Sequence, residues 1–170
     1  TIREHKGRLA GLTVAFVGDG SSNMANSYLV ACAMAGINVR VATPAKYQPL
    51  LEARETATRI AGHTGGSVLV TAATSEAVAD ADVVVTDTWI SMGQESEKEK
   101  RVADFVGYGV TAELLAAAKE NVIFLHCLPA YRGFEVDAAV IDGPQSVVWD
   151  AAENRLHAQK ALMHFLLTSS

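Results

Sequence analysis

The chain has 170 residues, of which 49% are hydrophobic and 19% charged, enough to bury one sizeable core within a single domain. Its formal net charge is -5 and its 14 lysines and arginines are scattered, which argues against nucleic acid as a partner. Apolar runs such as 83–85 and 122–125 fall far short of the roughly 18 residues a membrane span needs, so no membrane association is expected.

The opening segment Thr1-Ile2-Arg3-Glu4-His5-Lys6-Gly7 lacks an initiator Met and reads as the end of a helix stopped by Gly7, so the chain is expected to have been cut from a longer one. Short β-branched runs then alternate with segments of helical period. Strands are predicted at 12–17, 38–43, 67–70, 82–86 and 122–126, with a sixth, short candidate at 146–149. Helices are predicted at 22–35, ending at Gly36, and at 50–63, ending before Gly65-Gly66, with shorter ones at 75–79, 97–105, 112–119 and 135–140. The last helix, 151–167, is expected to start after Asp150, with Glu153 three residues into it completing a capping box. Its apolar residues, among them Leu156, Leu162, Met163, Phe165, Leu166 and Leu167, cover more than one stripe, which implies a second packing partner. No repeat or linker divides the chain. This pattern predicts one doubly wound, Rossmann-like α/β domain, a parallel sheet between two helical layers.

In such a fold, ligands bind at the carboxyl ends of the strands, so the residues that follow each strand carry the functional signal. After the first strand comes Gly18-Asp19-Gly20-Ser21-Ser22-Asn23, which partly matches the dinucleotide fingerprint G-x-G-x-x-G. Asn23 stands where the third glycine belongs, and the second strand ends at Ala42-Thr43-Pro44 without an acid for a ribose hydroxyl, so a nicotinamide cofactor is disfavoured. Asn23 at a helix N-terminus suits a small carboxylate; a simple helix cap is the competing reading.

The fourth strand leads into Asp87-Thr88-Trp89-Ile90-Ser91-Met92-Gly93-Gln94-Glu95. Asp87 can pair with an ammonium group, and Ser91, Met92 and Gly93 offer a hydroxyl and backbone amides; alternatively Asp87 caps a loop and Trp89 is core. The run 95–101 reads as a solvated helix start. The fifth strand ends at His126-Cys127-Leu128-Pro129, placing Cys127 at the same edge as a polar or thiolate group, whereas Cys32, within Ala31-Cys32-Ala33-Met34, reads as buried packing. A structural role competes for both Cys127 and His126. A cis bond before Pro129, turning the Leu128 carbonyl into the cleft, is a further expectation. Two cysteines so placed suggest no disulfide scaffold and fit a cytoplasmic setting. Glu153-Asn154-Arg155 opens the last helix, and the planar donors of Arg155 suit a carbonyl or phosphate oxygen, or simply the surface.

In order and spacing, Gly18-Asp19-Gly20 with Asn23, the 87–95 segment, His126-Cys127-Leu128-Pro129 and Glu153-Asn154-Arg155 resemble the ornithine carbamoyltransferases, over essentially the whole chain. The 87–95 segment sets the chain apart from the aspartate carbamoyltransferases, which recognise an acidic amino acid. The resemblance implies that Asn23, Asp87, Ser91 and Met92 hold the α-amino acid end of L-ornithine. It places Cys127 beside the side-chain amine, and directs the Leu128 carbonyl and Arg155 to the carbamoyl group of carbamoyl phosphate. It implies no metal and no organic cofactor. The Ser-x-Arg-Thr and His-Pro-x-Gln segments with which the family binds phosphate in its N-terminal domain do not occur in these residues. The chain alone is therefore expected to be inactive and monomeric, with helix 151–167 packing on that domain in the complete homotrimer of arginine biosynthesis. The rival readings are a carbamoyltransferase for putrescine or an acylated ornithine, and a non-catalytic amino-acid-binding module.

Overall fold

The computed structural model describes residues 1–90, 93 and 95–169. Five parallel strands form the sheet: β1 (Thr13–Val17), β2 (Asn38–Ala42), β3 (Ser67–Thr71), β4 (Val83–Thr86) and β5 (Ile123–His126). Eight α-helices accompany them among the described residues: α1 (Ile2–Lys6), α2 (Asn23–Met34), α3 (Leu51–Thr64), α4 (Thr74–Val78), α5 (Lys98–Asp104), α6 (Ala112–Leu115), α7 (Ala138–Ile141) and α8 (Val148–Thr168). A short 3-10 turn, Glu95–Glu97, leads into α5. The strand order is β3-β2-β1-β4-β5, so the chain reverses direction across the sheet between β1 and β4. The loops that follow those two strands diverge there and open a crevice at their carboxyl ends.

Alternation along the strands builds two cores. Val14 and Phe16, Val39 and Val41, Val83 and Val85, and Ile123 and Leu125 face α2 and α3 with Leu29, Ala33, Ala57 and Ala61. Their neighbours Ala15, Val17, Ala42, Val84 and Phe124 face the opposite way, against Val78 of α4, Leu115 of α6 and Val140 and Ile141 of α7. Central strands covered on both sides need apolar residues at consecutive positions, which is why β1 and β4 are buried along their whole length. The three-layer α/β architecture is as predicted. Gly7 ends α1 in the left-handed conformation with φ 71°, its N–H donating to the Arg3 carbonyl, as the sequence suggested.

The helix predicted at 112–119 is cut short at Leu115 and that predicted at 135–140 begins only at Ala138, and two further expectations fail outright. Segment 146–149 forms no strand: one parallel bridge joins Ser146 to Phe124, and Val148 already begins α8. The capping box at Asp150 and Glu153 is also absent, because α8 starts two residues before Asp150, without a side-chain cap. Packing fixes that start: Val147 enters the first core and Val148 the second, anchoring the first turn across the edge of the sheet. The Asp150 carboxylate instead meets His5 Nε2 at 2.8 Å, joining α1 to α8. Beyond this base α8 leaves the body, and Leu156, Leu162, Met163, Phe165, Leu166 and Leu167 are each more than half exposed, the largest value being 81% at Leu167. The excess apolar surface expected of this helix is present.

Candidate functional site

Strand register assembles the centre of the site. Thr86 pairs with His126 where β4 and β5 end, so the residues that follow, Asp87 and Cys127, leave the sheet side by side. The Cys127 thiol donates to Asp87 Oδ1 at 2.8 Å, and the Thr88 N–H donates to the same oxygen at 2.8 Å. Asp87 is buried and Cys127 half-buried. Burial, reinforced by the hydrogen bond to the Asp87 carboxylate and by its charge, pushes the Cys127 thiol up from about 9 to about 12, while the positive charge of Arg155 pulls weakly the other way. Cys127 is therefore a neutral thiol near pH 7. Of the two forms the sequence allowed, this environment favours the thiol.

His126 supports this pair from below. Its Nδ1 accepts from the Leu128 N–H at 2.8 Å, which leaves the ring proton on Nε2. Nε2 lies 3.3 Å from Glu135 Oε1, attracted but poorly aligned for a hydrogen bond. Glu135 is 1% exposed and also accepts from the Tyr131 N–H. The imidazole thus ties the start of the 127–135 loop and the carboxylate ties its end. The Leu128-Pro129 bond is cis, as expected, and Leu128 has φ 56°. The donor atoms of Asp87, His126 and Cys127 lie within 4.8 Å of one another, a composition that could ligate a metal ion. Here they are engaged instead: one imidazole nitrogen accepts from the backbone, the other carries its proton toward Glu135, and the protonated thiol is bonded to Asp87.

The remaining predicted residues are placed less tightly. Asn23 is exposed in the first turn of α2, but Ser22 is the cap, its hydroxyl accepting from the Ala25 N–H at 3.1 Å. The cap reading of Asn23 is thereby excluded. Arg155 is exposed on α8, near enough for its charge to act on Cys127. Ser91 and Met92 lie outside the described residues.

One expectation is reversed. Arg101, read as part of a solvated helix start, is 3% exposed and forms an ion pair with the buried Asp19. The run 95–101 gives no sign of this, because its charged residues look alike until Asp19 is placed across the crevice. Around the pair the glycine-rich loop is closely packed. The Gly20 N–H donates to Thr43 Oγ1 at 3.0 Å, and a Cβ at Gly20 would lie 2.7 Å from the Tyr47 carbonyl oxygen. Thr43 at the end of β2, where a ribose-binding acid would stand, thus serves to hold this loop. Trp89 is core, stacked on Phe105 with ring centroids 5.5 Å apart. Cys32 is buried, as the sequence indicated. No helix among the described residues is long and apolar enough to cross a membrane.

Comparison with known proteins matches the sequence and the fold to a family. The ornithine carbamoyltransferase of Clavibacter sepedonicus is 61% identical over 170 residues, all of this chain and 55% of that protein. The solved ornithine carbamoyltransferase from Pyrococcus furiosus superposes with a TM-score of 0.91 at 48% identity, covering 95% of this chain and 51% of the other. An N-acetyl-L-ornithine transcarbamylase structure matches with a TM-score of 0.82 at 31% identity, over 95% of this chain and 52% of its own. The chain spans about half the length of the curated relatives it matches. The family model described as "Aspartate/ornithine carbamoyltransferase, Asp/Orn binding domain" matches residues 10–166, and the chain belongs to that family.

Proposed function

We propose that this chain is the amino-acid half of an ornithine carbamoyltransferase, in which the δ-amine of L-ornithine takes the carbamoyl group of carbamoyl phosphate to give L-citrulline and phosphate. The observation that carries the reading is the Asp87–Cys127 hydrogen bond at the mouth of the crevice. Among the described residues both hydrogen bonds to the Asp87 carboxylate reach Oδ1, which leaves Oδ2 to an ammonium group. Asn23 at the start of α2, with Ser91 and Met92, takes the α-carboxylate, and Asp87 the α-ammonium.

In this reading the neutral δ-amine lies beside the Cys127 thiol and attacks the carbamoyl carbon. A tetrahedral intermediate forms, the carbon–oxygen bond to phosphate breaks, and phosphate leaves with that electron pair and takes up the proton that the nitrogen gives up. A neutral thiol is a weak nucleophile, and unlike a thiolate it does not favour the protonated, unreactive form of the amine. Arg155 donates to the carbamoyl oxygen as negative charge grows on it, and the Leu128 carbonyl accepts from the carbamoyl nitrogen. Holding both reactants in place supplies most of the acceleration, since the leaving phosphate is already activated.

The other half of the enzyme binds the phosphate of carbamoyl phosphate and covers the apolar face of α8. The complete protein is a cytoplasmic homotrimer serving arginine biosynthesis. The test is citrulline formation by the full-length enzyme, with putrescine and N-acetylornithine as competing acceptors, alongside amide NMR of this chain titrated with L-ornithine, putrescine and NADH. Ornithine should be the preferred acceptor, and the chain alone should form no citrulline. Preference for another acceptor, or shifts at residues 18–23 with NADH, would reject the reading. Because an N-acetyl-L-ornithine transcarbamylase shares this fold, the acceptor comparison decides what the fold does not.

A further inference from the structure

We infer that Arg101 is a positioning residue for the amino-acid substrate: from α5 it fastens the stretch that begins with Asp87 to the loop that carries Asn23. The inference rests on the function proposed above. Arg101 stands on α5, yet its Nε donates back to the carbonyl of Trp89, two residues beyond Asp87. A second guanidinium nitrogen, Nη2, donates to Asp19 Oδ2. The other oxygen of Asp19 accepts from the Ser21 N–H at 2.9 Å and from the Ser21 hydroxyl at 2.6 Å, fixing the turn into α2 just ahead of Asn23. One guanidinium thus joins α5 to the two stretches of chain that carry Asp87 and Asn23.

The packing around it favours this geometry over a loose ion pair. The side chains of Arg101 and Asp19 are each 3% exposed. A charge so buried is tolerated only where its partners are fixed. The guanidinium carbon lies 4.9 Å from the Tyr47 ring centroid and 5.5 Å from that of Phe105, so the planar group is held by aromatic faces as well as by its acceptors. Asp104, the last residue of α5, accepts from Lys46 Nζ at 2.7 Å and from Tyr47 Oη at 2.9 Å, so the helix is moored at its middle and at its end. A lysine at 101 could still neutralise Asp19, but it lacks the rigid fork that reaches two acceptors in different directions.

The experiment uses the full-length enzyme carrying Arg101→Lys, Arg101→Gln or Asp19→Asn, with kcat, the KM of each substrate and Tm measured for each. Arg101→Lys, which retains the charge, keeps the test informative where the neutral variants fail to fold. A positioning role predicts that Arg101→Lys raises the KM for ornithine about tenfold, while the KM for carbamoyl phosphate moves less than about twofold and Tm stays close to wild type. A lowered Tm with an unchanged ornithine KM would overturn the inference and leave a structural ion pair. Equal changes in both KM values would overturn it as well. An unmodified enzyme that makes no citrulline from ornithine would refute the function proposed above, and this inference with it.

Discussion

The Cys127 thiol donates to the Asp87 carboxylate at 2.8 Å across the ends of two adjacent parallel strands. This bond is the direct product of β-ladder register: a slip of one residue between β4 and β5 would turn one of the two side chains to the other face of the sheet.

The pair makes a prediction about pH. Folding raises the Cys127 pKa from about 9 to about 12, so the protonated form is favoured, and this contribution to stability is fully present below pH 9 and lost as pH rises toward 12. Alkylation of Cys127 by iodoacetamide, followed by peptide mass spectrometry, should be slow at pH 8 and accelerate only well above pH 9. Asp87→Asn removes the neighbouring charge and should speed labelling at pH 9 by about tenfold or more. Equal rates in the two proteins would show that Asp87 does not control the thiol.

Replacing the thiol tests its contact with substrate. Cys127→Ala should raise the KM for ornithine and lower kcat in the full-length enzyme, while costing only about 1 kcal/mol of stability, because the side chain is small and half-buried. Steady-state kinetics beside a urea melt will separate these effects; unchanged kinetics would remove Cys127 from the site.

Glu135 offers a sharper stability effect. It is 1% exposed, accepts from the Tyr131 N–H and faces His126. Glu135→Ala should destabilise the fold by roughly 2–4 kcal/mol, since it opens a cavity and leaves polar neighbours unpaired. Glu135→Gln keeps an acceptor oxygen and should lose clearly less in the same denaturation experiment.

Two glycines should respond in opposite directions. A Cβ at Gly20 would lie 2.8 Å from Thr43 Cγ2 as well as crowding the Tyr47 carbonyl, so Gly20→Ala should cost about 2 kcal/mol or more. Gly62, within α3, has open space around its Cβ position, so Gly62→Ala should stabilise by about 0.5–1 kcal/mol. Thermal melts of the two variants will show whether the sign follows the space around each glycine.

Local pattern made most of the fold legible. The β-branched runs located all five strands to within about a residue at each end, because strands covered on both faces must be apolar throughout. It also located the polar centre, since residues just beyond parallel strands converge on one edge. Where tertiary contacts decided the outcome, pattern misled. Asp150 looks like a cap, but the burial of Val147 and Val148 fixes the start of α8 and frees Asp150 for His5. Arg101 is indistinguishable from Lys98 and Lys100 in sequence, and only the position of Asp19 selects it for burial. Glu135 was read as the first residue of a helix that in fact begins at Ala138, and nothing local marks it as a partner of His126.

Of the 21 residues of α8, Val148 alone is fully buried. A helix of that length extends about 30 Å, so most of it projects beyond the domain whose sequence encodes it. If the other half of the enzyme covers it, the two halves share a single hydrophobic vocabulary. A chimera that exchanges one half between family members should then function only when α8 travels with the surface it covers, and a split enzyme should reassemble through this helix rather than through the crevice proposed to hold the substrates.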